Sequence, residues 1–253
     1  MRRKNTRKSG ESVFLCGTGK MAIQRFFGSF HLNEHTERVA DPEIVHQLKD
    51  VLRLGPGDKV ILVDQKGGEA TGEVVKITKD FAEFTLSERR KNEIEPMRQV
   101  VLYCAVLKRE NFEWVVQKAT EVGVREIVPI ITKRTIKLGL NLERLQKIIK
   151  EAAEQSGRGI VPALREPANF QEALDRAEDR MNILFDVSGE NLSKIDMHPQ
   201  SINIWIGPEG GWDLEELERA REMKCKIEHL SPLTLRAETA AVVASYLVVQ
   251  ASQ

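Results

Sequence analysis

Apolar residues in the first third of the chain come in short runs with the spacing of β-strands. The stretch KVILVDQKGGEATGEVVKI holds two apolar runs joined around Lys66 to Gly68, which indicates a β-hairpin. Phe81 to Leu86 alternates apolar and polar positions and is predicted as a further strand. We therefore expect a small β-barrel over residues 21–90. The polar, proline-containing stretch after it predicts a linker over residues 91–98.

From residue 99 onward, apolar runs of strand length alternate with segments of helical periodicity. Val100 to Val106 is typical of a buried strand, and apolar residues then recur at helical spacing from Phe112 to Val122. This alternation predicts a mainly parallel sheet covered by helices over residues 99–253. The other predicted strands are residues 126–131, 183–185, 202–206 and 227–230, and the other predicted helices are residues 142–152, 170–177, 214–222 and 238–249.

The last predicted helix, from Glu238 to Val249, is apolar on nearly every side. A helix of this kind has to be buried, and a subunit interface is the natural place for it. We therefore expect contact between two copies of the chain through this domain. The longest apolar stretch, Ala240 to Val249, contains a serine and a tyrosine and is far shorter than the ~20 residues of a membrane span, so no membrane segment is predicted.

Composition and charge limit the possible classes of protein. The 253 residues are 41% hydrophobic, and 38 basic side chains balance 38 acidic ones, so a role with nucleic acid would depend on local basic patches. The three cysteines, Cys16, Cys104 and Cys225, have no CxxC spacing, which argues against a cysteine zinc site and favours a reduced, cytoplasmic protein. Residues 1–20 carry six basic residues and one acidic residue, and we expect them to form a disordered basic tail.

The stretch IWIGPEGGW, Ile204 to Trp212, places three glycines and a proline between a predicted strand and a predicted helix. Such turns often bind phosphate, but Glu209 would repel an anion and the lysine of a P-loop is missing. A neutral or cationic ligand fits better. Asp213 and Glu216 have the spacing of a capping box, which predicts that the helix begins at about Leu214. The loop would then lie at the carboxyl end of a strand, where ligands bind in open α/β sheets. The plain alternative is a strand-to-helix connection.

A second loop, LSPLTLRAETAA from Leu230 to Ala241, joins the last predicted strand to the last helix. It should open at the same edge of the sheet as the glycine-rich loop, so that the two loops form a pocket. Arg236, Glu238 and the hydroxyl of Thr239 would lie near its mouth. The alternative is a surface loop in which Glu238 only favours the start of the helix.

The stretch HLNEH, His31 to His35, fits the HxxEH pattern of a family of zinc peptidases. That pattern requires a helix, whereas here it follows a strand-like run without helical spacing. We therefore predict no metal.

IGPEGGW followed about thirty residues later by LTLRAETAA resembles the paired motifs of the SPOUT superfamily of methyltransferases, and more narrowly the RsmE family, which methylates N3 of a uridine in 16S ribosomal RNA. The stretches HQLKDVLRLGPGD, WVVQKATEVGVREIVPIIT and EAAEQSGR also resemble motifs of this family, in its order. The resemblance extends from about Met21 to the C-terminus. It implies an N-terminal PUA-like barrel, a C-terminal α/β domain with a trefoil knot and helices on both faces of a mainly parallel sheet, and a homodimer.

The resemblance also implies S-adenosylmethionine as the cofactor. The residues that would bind it, by their match to the family's motifs, are Ile206, Gly207, Glu209, Gly210, Leu230, Leu235 and Thr239. The cofactor carries a sulfonium and an ammonium group, so an acidic loop is compatible with it. Catalysis would depend mainly on positioning. Arg236 is expected to stabilise negative charge on the base, and Glu238 is a candidate proton acceptor.

The expected partner is 16S rRNA or the assembled small ribosomal subunit. The residues that the resemblance assigns to RNA are His46, Arg53, Lys108, Gln117, Lys118 and Arg158. For each charged residue the alternative is a solvated surface charge, and Ser156 to Arg158 could serve only as a loop. Two other functions stay open: a SPOUT methyltransferase of another RNA, acting on a tRNA base or a ribose 2′-hydroxyl, and an RNA-binding module without catalysis.

Overall fold

A computed structural model describes residues 23–136, 139–177, 180–191 and 200–251. The predicted basic tail, residues 1–20, lies outside the described residues. The described chain forms two sheets, one before and one after residues 92–98.

The N-terminal sheet contains five strands in the order β1-β3-β4-β5-β2. Its elements are β1 (Arg25–Phe27), β2 (Thr36–Val39), α1 (Pro42–His46), a π-helical turn (Gln47–Val51), β3 (Lys59–Val63), β4 (Gly68–Ile77) and β5 (Ala82–Lys91). The predicted hairpin is confirmed, since β3 and β4 pair antiparallel from Lys59 opposite Glu73 to Val63 opposite Glu69. The Asp64 carboxylate shapes its turn by accepting the backbone N–H groups of Lys66 and Gly68 at 2.8 and 2.9 Å.

The C-terminal sheet has the order β12-β10-β11-β6-β7-β8, and β9 also pairs with β7. Every strand pairing recorded for it is parallel, which confirms the predicted α/β class. Its elements are β6 (Gln99–Ala105), α2 (Arg109–Glu121), β7 (Glu126–Ile131), α3 (Leu142–Gln155), β8 (Ala163–Leu164), β9 (Ala168–Asn169), α4 (Phe170–Asp175), β10 (Met181–Asn191), β11 (Ser201–Ile206), α5 (Leu214–Glu222), β12 (Lys226–His229) and α6 (Ala237–Gln250). The trefoil knot stays a prediction.

Helices cover both faces of this sheet, because its central strands β6, β7 and β11 carry buried apolar side chains on both sides. One buried cluster joins the strands to α2, α3 and α6, and a second joins them to α4 and α5. The predicted capping box is present at α5, where the side chains of Asp213 and Glu216 each accept a backbone N–H group at the start of the helix. Trp212 and Leu217, which flank the capping box as a hydrophobic staple does, both lie in the second cluster.

Candidate active site

A cavity of about 540 Å³ lies at the carboxyl edge of the C-terminal sheet. Its walls come from the start of α2, from β10, from the loop between β11 and α5, and from the loop between β12 and α6. The residues that line it include the predicted Ile206, Gly207, Glu209, Leu230, Leu235, Arg236 and Glu238, and also Lys108, Asp186, Val187 and Trp212. The predicted convergence of the two loops is therefore observed. Gly210 and Thr239 are not among the lining residues.

The glycine-rich loop is shaped by close contact with Trp212. A β-carbon on Gly207 would lie 3.0 Å from the indole ring, so a larger residue there would displace the ring. Trp212 is buried, and its Nε1 donates a hydrogen bond to the carbonyl oxygen of Phe185 at 3.0 Å. Gly211 has φ of +70°, a conformation that favours glycine. The loop is thus fixed to β10 by the side chain that follows it.

A turn after β7, residues 132–135, supports the same loop from outside. The Glu216 carboxylate accepts the backbone N–H of Asp213 through Oε2 and that of Lys133 through Oε1, both at 2.9 Å. Arg134 donates from Nη1 to the carbonyl oxygen of Gly210 at 2.9 Å. The capping box of α5 therefore also fastens a second loop to the edge of the cavity.

Arg236 and Glu238 differ sharply in exposure. The Arg236 side chain is 87% exposed and that of Glu238 only 14%, and their nearest charged atoms are 4.0 Å apart. Glu238 Oε2 is buried and has no hydrogen-bond partner among the described residues. A buried carboxylate oxygen without a donor is costly, so this atom is suited to receive a donor from a bound molecule.

Carboxylates outnumber the lysine and arginine side chains that line the cavity. Asp186, Glu209 and Glu238 line it, and burial together with the nearby charges of Glu209 and Glu238 raises the pKa of the Cys104 thiol far above its ordinary value. Lys108 and Arg236 lie at the same cavity and are exposed. The site therefore combines carboxylates at different depths, with Glu238 mostly buried and Glu209 exposed, and cations that are exposed.

The residues predicted to contact RNA fall into three groups. His46, the last residue of α1, and Arg53, in the loop before β3, are exposed in the N-terminal domain, with His46 Nδ1 2.8 Å from the Asp50 carboxylate. Lys108 lines the cavity. Gln117 and Lys118 are half-buried on α2, and Lys118 forms an ion pair with Glu121 at 2.7 Å.

Arg158 is not placed to contact RNA, which corrects the prediction for this residue. Its side chain is 5% exposed and forms an ion pair with Glu95 at 2.9 Å. Its Nη1 donates to the carbonyl oxygens of Thr120 and Val124 at 3.1 and 2.6 Å. A guanidinium that is buried and paired with a carboxylate in this way is not accessible to a phosphate on the surface.

Asp186 and Arg134 were not predicted from the sequence. Asp186 lies in β10 at the cavity wall, where its Oδ1 accepts the backbone N–H and the hydroxyl of Ser188 at 2.9 and 2.6 Å. Arg134 follows directly after β7. The only signal in the sequence for either is its position near the end of a predicted strand, since loops at that edge of a parallel sheet meet.

The stretch HLNEH contains no helical residue, so its histidine pair lacks the helix that a zinc peptidase needs. Within the described ranges, no group of three or more candidate ligands is arranged to hold a metal ion. No helix in the described part of the chain combines the length and the apolar content needed to cross a lipid bilayer.

The sequence and the fold have close counterparts among known proteins. A family model for an RNA methyltransferase domain matches residues 93–249, and one for an RNA methyltransferase PUA domain matches residues 40–87. These matches define the class: an RNA methyltransferase of the SPOUT type with an N-terminal PUA-like domain. Within that class, the chain belongs to the ribosomal RNA small subunit methyltransferase E family. It is 33% identical over 220 residues to the family member from Bacillus subtilis, covering 80% of this chain and 85% of that protein.

Solved structures agree with this membership. The family member from Neisseria gonorrhoeae bound to S-adenosylmethionine superposes with a TM-score of 0.82 at 30% identity, covering 88% of this chain and 95% of that one. A methyltransferase from Legionella pneumophila in complex with the same cofactor gives a TM-score of 0.81 at 27% identity, covering 92% and 98%.

Proposed function

We propose that this protein transfers a methyl group from S-adenosylmethionine to N3 of a uridine in the 16S rRNA of the small ribosomal subunit. The main support is the cavity between the two predicted loops, which lies within the part of the chain that matches the methyltransferase family model. A solved relative binds this cofactor. The resemblance in the sequence, not the structure, supplies the particular atom that receives the methyl group.

The cavity fits the proposed cofactor in size and in charge. Its volume of about 540 Å³ lies within the ~300–1,000 Å³ of small-molecule sites. S-adenosylmethionine supplies an activated methyl group on a positively charged sulfur. The carboxylates of Asp186, Glu209 and Glu238 would favour such a cation, and Ile206, Leu230 and Leu235 would provide apolar contact.

The two side chains at the start of α6 have different roles in the proposal. Glu238 accepts the proton of uridine N3 at its buried Oε2 atom, which no donor among the described residues occupies. Arg236, exposed at the mouth, stabilises the negative charge that develops on the base when N3 loses its proton. In this proposal the carboxylate removes the proton, and the guanidinium stabilises the anion that remains.

RNA binding depends in this proposal on exposed polar and basic side chains of both domains. Arg53 and His46 lie in the segment between β2 and β3 of the N-terminal domain, and Lys108 lies at the cavity. Contacts to phosphate release bound counterions, so affinity for the subunit should fall as salt rises. Such contacts position the RNA, whereas the cavity selects the base.

The second copy of the chain is proposed to bind along α6. Ala241, Ala244 and Val248 of this helix are fully buried within the subunit, yet Tyr246 and Leu247 are exposed on its other side. Exposed aromatic and aliphatic side chains on an otherwise apolar helix favour an interface between copies. Sedimentation of a Tyr246→Glu variant tests this: a monomer is expected, and an unchanged mass would contradict it.

The function is tested with purified small subunits that lack the modification. Labelled cofactor is added, and the methylated nucleoside is identified by mass spectrometry. One 3-methyluridine per subunit is expected, whereas a methylated ribose or a tRNA product would favour the alternative substrates. Binding of cofactor and RNA without transfer would favour a non-catalytic module.

Variants separate the two catalytic roles from cofactor binding. Arg236→Ala and Glu238→Gln should each lower kcat about 10²-fold or more, as expected for loss of charge stabilisation or of a general base. Cofactor affinity should change little for Arg236→Ala. Arg221→Ala, an exposed arginine on α5, is the matched control and should keep full activity. Equal loss of turnover and of cofactor affinity in Arg236→Ala would contradict its role.

A further inference from the structure

The segment between the two sheets is held by an ion pair between a buried arginine, Arg158, and a partly buried glutamate, Glu95. The Glu95 carboxylate accepts from Arg158 Nε and Nη2 at 3.2 and 2.9 Å, and its Oε1 also accepts the backbone N–H groups of Gly159 and Ile160 at 2.9 and 3.2 Å. The Glu95 side chain is only 17% exposed. All four donors follow the end of α3, so one carboxylate fastens the linker to the C-terminal domain.

Arg158 extends this attachment to α2. Its Nη1 binds the carbonyl oxygens of Thr120 and Val124, which lie around the end of that helix. The turn after α2 also packs closely against the linker, since a β-carbon on Gly123 would lie 2.5 Å from the Pro96 ring. The linker is therefore seated against the ends of two helices.

Asn92 connects the same place to the N-terminal sheet. Its Nδ2 donates to the carbonyl oxygen of Gly157 at 3.1 Å and to the Glu69 carboxylate of β4 at 3.3 Å. Its backbone N–H donates to the Gly67 carbonyl oxygen at 2.7 Å. A β-carbon on Gly159 would lie 2.4 Å from Asn92 Cβ, so the two segments are in direct contact.

We propose that Asn92, Glu95 and Arg158, here called the linker clamp, are positioning residues that fix the N-terminal sheet relative to the cavity so that one RNA contacts both. The functional half of this inference rests on the proposed RNA substrate. Two linked binding sites raise the overall affinity for one ligand only when the distance between the sites matches the ligand. A clamp of partly buried hydrogen bonds, several of them charge-assisted, holds that spacing before the RNA arrives. Binding then does not have to order the two domains relative to each other.

Glu95→Gln is the test variant, because it keeps the shape and one acceptor oxygen while removing the ionic pair. Glu126→Gln is the matched control. Glu126 also pairs with an arginine through two contacts, Arg165 Nε at 2.7 Å and Nη2 at 3.2 Å, and is 23% exposed, but both partners belong to the C-terminal domain.

Three measurements distinguish positioning from simple stabilisation. Spin labels on Lys79→Cys and Glu218→Cys, in a Cys16→Ser background diluted with unlabelled chain, report the distance between the N-terminal sheet and α5. Co-sedimentation measures affinity for small subunits, and calorimetry measures affinity for S-adenosylmethionine. Glu95→Gln should broaden the distance distribution and weaken subunit binding about fivefold or more, since linkage gains of ~10²–10⁴ depend on geometry. Its cofactor affinity should stay within about twofold of the parent protein.

Several results would overturn the proposal. These are an unchanged distance distribution in Glu95→Gln, a broadened one with unchanged subunit affinity, or an equal loss of subunit affinity in Glu126→Gln. Asn92→Ala opens the other arm of the clamp and is measured in the same way if Glu95→Gln does not fold. Subunit affinity is independent of methyl transfer, so a wild-type chain that binds subunits without methylating them would refute the proposed function and leave this test valid.

Discussion

Glu216→Ala should weaken both the fold and the cofactor site, because one buried carboxylate serves two loops. The side chain is 6% exposed and accepts the backbone N–H groups of Asp213 and Lys133 at 2.9 Å each. Removal leaves both donors without their charged acceptor. It also detaches the turn at residues 132–135 from the start of α5.

The size of the effect follows from the two hydrogen bonds. Hydrogen bonds to charged groups contribute about 1.5–3 kcal/mol each, so complete loss of both sets an upper range of about 3–6 kcal/mol. Lys133 lies in an exposed turn, where water can replace the carboxylate, so we expect about 2–3 kcal/mol. For a chain of this size that corresponds to a fall in Tm of about 5–10 °C. Glu218→Ala, an exposed glutamate on the same helix, should change Tm by less than about 2 °C.

Hydrogen exchange locates the effect. In Glu216→Ala, amide protection should fall in the peptides around residues 132–135 and 208–216 while the strands of the N-terminal sheet keep theirs. Affinity for S-adenosylmethionine should weaken severalfold, because the same loop forms the cavity wall. A Tm equal to that of Glu218→Ala, or unchanged exchange in both peptides, would refute the assignment of two roles to this carboxylate.

Two further predictions concern pH. Burial raises the pKa of the Cys104 thiol, and the nearby charges of Glu209 and Glu238 raise it further. The folded state therefore holds the thiol proton more tightly than the unfolded state does. Above the ordinary thiol pKa of about 8.5, the free energy of unfolding should fall by up to ~1.4 kcal/mol per pH unit. Cys104→Ala should flatten this fall in denaturation measured from pH 8 to 10, and an equal slope in both proteins would contradict it. Burial also raises the pKa of Glu154, whose contribution to stability is full below the unfolded pKa of about 4.3 and is lost as pH rises through the folded pKa. The stability of Glu154→Gln relative to the parent protein should therefore rise from pH 4 to pH 7. The glutamine keeps an acceptor for the Phe27 N–H. A difference in stability between variant and parent that is the same at both pH values would refute this.

Features set by neighbouring residues could be predicted from the sequence. The start of α5 at Leu214 follows from Asp213 and Glu216, which contact each other across three residues. The hairpin between β3 and β4 follows from two apolar runs and a glycine-containing turn. In both cases the partners are close in the chain, so their pattern contains the contact.

The cavity could be predicted only in part, because its walls come from distant segments. The rule that loops meet at the carboxyl edge of a parallel sheet brought the two motif-bearing loops together. It gave no reason to choose Asp186, which follows an ordinary apolar run, or Arg134, which contacts Gly210 across 76 residues. Those contacts depend on strand order, and sequence periodicity does not determine strand order.

Arg158 and Lys108 show why charge alone does not indicate which cations are free to contact RNA. Both are cations in stretches near motifs of the family, and the sequence predicted the same role for both. Lys108 precedes α2 at the cavity and is exposed, whereas Arg158 follows α3 and meets a carboxylate 63 residues earlier in the chain. A buried guanidinium requires such a partner, since an unpaired charge in the interior costs several kcal/mol. The glutamate that satisfies this requirement, Glu95, lies in a polar stretch whose sequence pattern is that of a free linker. The pairing with this linker residue keeps Arg158 in the interior and attaches the linker to the C-terminal domain.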